Sequence, residues 1–186
     1  MTDTKKVTFG KPKVGGAIFA APVGTTLPKN AVDELDVAFK NLGYVSEDGL
    51  TNENSMETDK IKAWGGDVVL SVLTGKEDNF SFKLIEALNI EVLRFIYGED
   101  NVEGDVATGV TLRANSKPLE NTSLVIEMIL QNTVKRIVIP NGTISELGEI
   151  VYVDEDAVGY EVTLSALPDE NGDTHIEYFK SITENV

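Results

Sequence analysis

The sequence predicts a mostly β fold, a β-sandwich or barrel with one flanking α-helix and one long loop. Three features carry this. Apolar residues alternate with period two through most of the chain after residue 65. Asn-Gly dipeptides adjoin strand-like runs. A single segment combines helical spacing with residues suited to cap a helix.

The first element is a basic N-terminal arm, residues 1–30. It holds Lys5, Lys6, Lys11, Lys13 and Lys29 against Asp3, a net charge of +4. Residues 31–186 hold 11 basic and 30 acidic side chains, net −19, and the two sums give the −15 of the whole chain. Such an arm is either a solvated tail or a strap on an acidic surface of its own subunit or a neighbour. Between Asn30 and Gly43, helical spacing of Leu35, Ala38, Phe39 and Leu42 competes with alternation of Leu35, Val37 and Phe39. The segment 44–64 is polar, acidic and poor in apolar residues, so it is predicted as a long loop or an extended hairpin. Long ordered loops in compact domains usually carry function, which makes this segment the one suspected of partner contact.

From residue 66 to 186 the alternation predicts the main β-sandwich. Val68, Leu70 and Val72 alternate with Val69, Ser71 and Leu73, and Phe80, Phe82 and Leu84 with Ser81, Lys83 and Ile85. Leu124, Ile126, Met128 and Leu130 share one face with Glu127 and Gln131 opposite, and Val158, Tyr160, Val162, Leu164 and Ala166 repeat the pattern. Each is expected to turn one face to a core. Residues 89–97 read as a helix, with Asn89 as N-cap and Gly98 as stop. Asn141-Gly142 and Asn171-Gly172 are expected to supply the positive φ of tight hairpin turns. With no repeat, low-complexity tract or clear linker, residues 1–186 read as one domain.

Composition narrows the function. A chain of 186 residues buries roughly 70% of its unfolded surface and folds without staples. A pI near 4.4 rules out a dominant basic footprint for nucleic acid. The absence of cysteine removes disulfides, thiolate nucleophiles and thiolate zinc sites, and a single histidine removes multi-histidine metal sites within one chain. The apolar stretch from Ala17 to Val23 is short and broken by Pro22, so neither a secretory signal nor a membrane span is expected.

No catalytic constellation emerges. His175 follows an Asn-Gly turn and reads as a surface or edge-strand histidine. Thr74-Gly75-Lys76 fails as a phosphate loop, because Leu70 and Glu77 stand where Gly and Ser or Thr are required. The carboxylates at Asp154-Glu155-Asp156 and from Asp169 to Asp173 lack the spacing of a calcium loop and read as solvated tips, leaving only weak calcium binding in view. Trp64, before Gly65-Gly66, reads equally as a core residue at a strand start and as a stacking platform. No cofactor is expected, and the chain reads as non-enzymatic.

One string of motifs adds a family. The run Gly16 to Pro28 (GAIFAAPVGTTLP), then LGYVSEDG from Leu42 to Gly49, IKAWGG from Ile61 to Gly66, and IEALN from Ile85 to Asn89 leading to Tyr97-Gly98, occur in that order. This order resembles the major tail (tail tube) proteins of long-tailed phages infecting Gram-positive hosts, over roughly residues 14–100. The resemblance implies a tail-tube-like β-sandwich or barrel that stacks as hexameric rings around a hollow tube conducting DNA at infection. It implies a structural virion protein, assembled in the host cytoplasm, whose partners are itself and other tail proteins (tape measure, tail terminator, distal tail), with DNA touched only in transit. The 44–64 loop would then reach an adjacent subunit or ring. Interface residues are expected at Lys5, Lys6, Lys11 and Lys13 on the arm, and at Tyr44, Asp48 and Trp64 in the loop. The alternatives are a terminator or connector ring, or a carbohydrate-binding or adhesin module using Trp64 and Tyr44 as its platform.

Overall fold

A computed structural model describes residue 2 and residues 4–182 of the chain. In chain order the strands are β1 (Gly10–Pro12), β2 (Ile18–Pro22), β3 (Lys40–Asn41), β4 (Val45–Lys62) and β5 (Val68–Leu84), followed by α1 (Ile90–Tyr97). Then come β6 (Val102–Asp105), β7 (Gly109–Leu112), β8 (Thr122–Leu130), β9 (Thr133–Leu147), β10 (Tyr160–Ala166) and β11 (Ile176–Ser181). Nine strands form one antiparallel sheet in the order β3-β2-β8-β9-β10-β5-β4, with β1 also on β8 and β11 also on β9; β6 and β7 make a separate hairpin. The end strands β3 and β4 are joined by residues 42–44. There Leu42 N–H donates to Ile18 O and Ile85 N–H to Tyr44 O, so the sheet wraps toward closure.

Alternation decides which side chains that wrap encloses. Ile18, Phe80, Phe82, Leu84, Leu124, Ile126, Ile137, Ile139, Val162 and Leu164 fill one core, drawn from strands at both ends of the order. Helix α1 closes it with Val92, Leu93 and Ile96. The helix boundaries follow the predicted caps: Asn89 Oδ1 accepts from Glu91 N–H, and Gly98 sits at φ +94° with its N–H on Arg94 O.

The outer face of β8 and β9 is buried as well. A strap of residues 27–39 lies over it, packing Leu27, Leu35, Ala38 and Phe39 against Ala21, Val125 and Val138. This strap is neither of the predicted elements. Asn30 and Asp36 side chains cap its backbone in turns, which outcompete a helix where Asn and Asp recur. Glu127, assigned by alternation to the polar face, is therefore buried beneath it, opposite Arg136 on β9. Arg136 Nε donates to Glu127 at 2.9 Å, and its terminal nitrogens donate to Asn30 O and Asp33 O at 2.8 and 2.9 Å. One guanidinium thus satisfies a buried carboxylate and staples the strap.

Of the two turn predictions, one fails and the other holds as a turn but not as a hairpin. Asn141-Gly142 makes no turn, because β9 runs straight through it. Gly142 pairs with Thr122 on one side and Ala166 on the other, without positive φ. The glycine is needed for space, since a Cβ there would stand 2.8 Å from Leu164 Cδ2. Asn171-Gly172 does turn, with Gly172 at φ +85°, but the strands it joins pair with β9 and not with each other.

The arm and the loop also change character. Ile18–Pro22 of the arm is an internal strand of the sheet, and β1 is laid on β8, so only the residues before Gly10 extend past paired strand. The 44–64 segment is strand throughout most of its length and pairs with β5, the extended-hairpin alternative and not a loop.

Candidate assembly interface

The β4–β5 hairpin is longer than the sheet it belongs to. Its root, residues 79–84 of β5, is held by β10, whereas its distal part, residues 54–76, pairs only within the hairpin. That distal part is apolar on one strand and polar on the other. Val68, Val69, Leu70, Val72 and Leu73 of β5 are 43–62% exposed, and Trp64 at the tip is fully exposed. A run of this kind is the signature of a strand buried on both faces, yet here both faces lie open. The expectation that Val68, Leu70 and Val72 face a core within the subunit is thus overturned. Charge on the distal hairpin balances: Glu57, Asp59 and Asp67 against Lys60, Lys62 and Lys76, net zero on a chain of −15. The far edge of β4 carries no partner strand among the described residues.

Where the hairpin leaves the body, a buried carboxylate fixes its direction. Asp78 is 2% exposed and accepts from four donors: Asn52 Nδ2 at 2.8 Å, Asn54 Nδ2 at 3.0 Å, Thr174 Oγ1 at 2.6 Å and His175 Nδ1 at 2.5 Å. Two donors come from β4 and two from the turn before β11, so the carboxylate ties the hairpin root to a distant part of the chain. Burial pushes the Asp78 carboxyl up, but the hydrogen bonds from Thr174, Asn52 and His175, with the His175 charge, outweigh it and hold it below the usual value near 3.8. His175 is half-buried, its side chain 17% exposed, and directly precedes β11, which pairs on one side only among the described residues, so of the two expected readings it is the edge-strand one. Its ring stands edge-on to Phe80 at 5.3 Å, and sequence spacing gave no sign that residues 97 apart would meet.

The predicted interface residues scatter. Tyr44 is 72% exposed at the root, its N–H donating to Glu86 Oε1 at 3.0 Å. Asp48 lies exposed on β4, accepting from Ser46 Oγ at 3.3 Å. Trp64 crowns the tip and so is no core residue. Tyr44 and Trp64 stand at opposite ends of β4, roughly 55 Å apart along the strand, so they form no common platform for a glycan. On the arm, Lys6 and Lys11 are exposed, Lys11 Nζ lying 5.2 Å over the Phe9 ring. Lys13 is spent on its own subunit, 2.7 Å from Glu127 Oε2. The Lys5 side chain lies outside the described residues.

A second open feature is a groove of about 910 Å³ beside α1, lined by Glu86, Ala87, Leu88, Tyr152, Val158 and Tyr160 among others. Elsewhere, Asp169 spends its Oδ1 on the N–H groups of Asn171 and Asp173, which leaves that acidic turn organised around itself. Among the described residues no three His, Asp or Glu side chains converge as metal ligands would, and no helix is long and apolar enough to cross a membrane.

Solved structures that match the chain come from contractile injection systems. The sheath-tube complex of the extracellular PVC system in its extended state matches with TM-score 0.42 and 11% identity, over 97% of this chain and 99% of that one. Its sheath/tube terminator matches with TM-score 0.39 and 10% identity, over 90% and 96%. The tube-terminating cap of the anti-feeding prophage matches with TM-score 0.43 and 8% identity, over 97% and 99%. No curated protein matches the sequence. The family profile described as phage tail tube protein matches residues 12–184, nearly the whole chain. That match, over nearly the whole of a mostly β chain, shows that this chain belongs to the phage tail tube protein family, whose members are structural and not enzymatic.

Proposed function

We propose that copies of this chain assemble into rings, hexameric as the family resemblance implies, and that the rings stack into a tail tube whose acidic lumen lets DNA pass. The observation that carries this reading is the distal hairpin: apolar on both faces of β5, neutral in charge, and projecting from a strongly acidic body. A chain of −15 repels its own copies at long range, so contact has to be made where charge cancels and apolar area is available. The distal hairpin meets both conditions. Its two-faced exposure fits a strand slotted between two neighbouring surfaces, and the open β4 edge offers main-chain hydrogen bonds for strand addition. Contacts of this unlike-surface kind close into rings by rotation and extend into a polymer by stacking.

The surplus carboxylates, in turn, suit a conduit. Phosphate finds few cations to displace its counterions, and the wall repels what it conducts. In this reading the protein is a virion component, assembled in the host cytoplasm, that meets tape measure, terminator and distal tail proteins along or at the ends of the tube.

Negative-stain imaging of concentrated protein tests the proposal directly. Wild-type protein, alone or with its tail partners, should give stacked rings. Leu70→Asp and Val72→Asp, which leave the body intact because both side chains are already solvent-facing, should give folded monomers. Wild-type protein that stays monomeric under all such conditions refutes the assembly reading. Single rings that never stack would reassign it to a terminator.

A further inference from the structure

We propose that the groove beside α1 is the receptor for the basic N-terminal segment of a second copy of this chain. This rests on the ring-and-tube reading and names one of its contacts. The groove lies between residues 85–89, which lead into α1, and residues 148–159, which connect β9 to β10. Its surface is largely apolar, with Leu88 and Tyr152 73% and 74% exposed above the buried Tyr160. Tyr152 belongs to the run Ile150 to Val153, a β-prone sequence that pairs with no strand among the described residues. The rim is acidic. Glu86 lines the groove, and Asp154-Glu155-Asp156 fall between the lining residues Tyr152 and Ala157; the cation placed against them is Lys83, 3.8 Å from Asp156 Oδ2.

The N-terminal segment has the reciprocal composition. Residues 5–11 (KKVTFGK) carry three lysines, two large apolar side chains and no acid. Val7 and Phe9 are 73% and 59% exposed, although the backbone beside them is held, with Gln131 Nε2 donating to Val7 O and β1 paired to β8. The segment is thus presented, not folded in. Its own groove is not its seat, since no residue before Ile85 lines it. Moreover, β1 is fixed at the Leu130 end of β8, whereas the groove opens past the Tyr160 end of β10. A neighbour's segment fits on both counts: Val7 and Phe9 cover Leu88 and Tyr152, and the lysines meet the rim carboxylates. Because groove and segment are different surfaces of one chain, the contact propagates from copy to copy.

The cysteine-free chain allows a clean test in the full-length protein. Phe9→Cys combined with Leu88→Cys should give, on mild oxidation of assembled material, a ladder of covalent oligomers on a denaturing gel. Phe9→Cys with Val37→Cys, an exposed position away from the groove, should give none. Tubes that form without the Phe9–Leu88 ladder overturn the docking while leaving self-assembly standing. So does an equal ladder from Val37, or one from Trp64→Cys with Leu88→Cys, which would seat the hairpin tip there instead. Wild-type protein that never assembles overturns both proposals together. A charge swap gives a second reading that needs no cross-link. Lys5, Lys6 and Lys11→Glu, or Asp154, Glu155 and Asp156→Lys, should each raise the protein concentration needed for assembly by about tenfold, and the two sets together should restore it to within about threefold. Failure of the combined variant to recover overturns the docking.

Discussion

Replacing Asp78 by Ala should destabilise the subunit by roughly 3 kcal/mol and loosen the root of the hairpin. The magnitude follows from what the carboxylate holds. Four donors converge on it at 2.5–3.0 Å, and hydrogen bonds to a charged acceptor contribute about 1.5–3 kcal/mol each. The four do not add, because the Asn52, Asn54 and Thr174 groups lie near enough to the surface to find water once released, which brings the sum down to about half its lower bound. For a chain of this length the melting temperature should fall by about 6–12 °C. Urea denaturation of dilute, unassembled protein measures the change, and amide exchange across residues 45–58 should quicken in the same variant. The pH dependence provides a second signature. The Asp78 carboxyl is held below its ordinary value near 3.8, so its stabilisation is complete above about pH 5 and is lost as pH falls through the folded value. The gap between wild type and Asp78→Ala should therefore close in acid. A loss under about 1 kcal/mol, or a gap that stays constant from pH 5 to pH 2.5, would refute the idea that this carboxylate anchors the hairpin.

Three further outcomes follow from the same packing. Gly142→Ala should cost about 1–3 kcal/mol in urea titrations, because the new Cβ meets Leu164 at 2.8 Å in the middle of three paired strands. Glu127→Ala should cost about 3–5 kcal/mol by leaving Arg136 buried with only carbonyl partners, whereas a Glu127→Gln variant should lose less. Removing residues 1–9, short of β1, should leave the urea midpoint unchanged yet reduce polymer yield by light scattering, and added salt should mimic the deletion; equal yields would show that the arm plays no part in assembly.

Much of the body is legible in the amino-acid sequence. Period-two alternation placed β5 from Phe80 onward, together with β8 and β10, because burial on one face leaves a direct record in the order of apolar residues. The helix at 90–97 was equally plain, since Asn89 and Gly98 perform local chemistry that depends on near neighbours alone. Local chemistry misled where long-range packing took precedence. Asn141-Gly142 has the composition of a turn, but the crowding against Leu164 that explains the glycine comes from a strand more than 20 residues away. The Asp78–His175 node and the Glu127–Arg136 staple were invisible for the same reason: a polar contact between separate segments leaves no periodic trace, and its partners meet only once the sheet has folded. By itself, then, the amino-acid order determined an acidic, cysteine-free β protein with one helix, because composition and periodicity are properties of the chain. Only the tertiary structure decided that the apolar run from Val68 to Leu73 stays outside the core. The sheet pairs the root of the hairpin through β10, whereas the distal end pairs only with itself and keeps its apolar side chains in solvent.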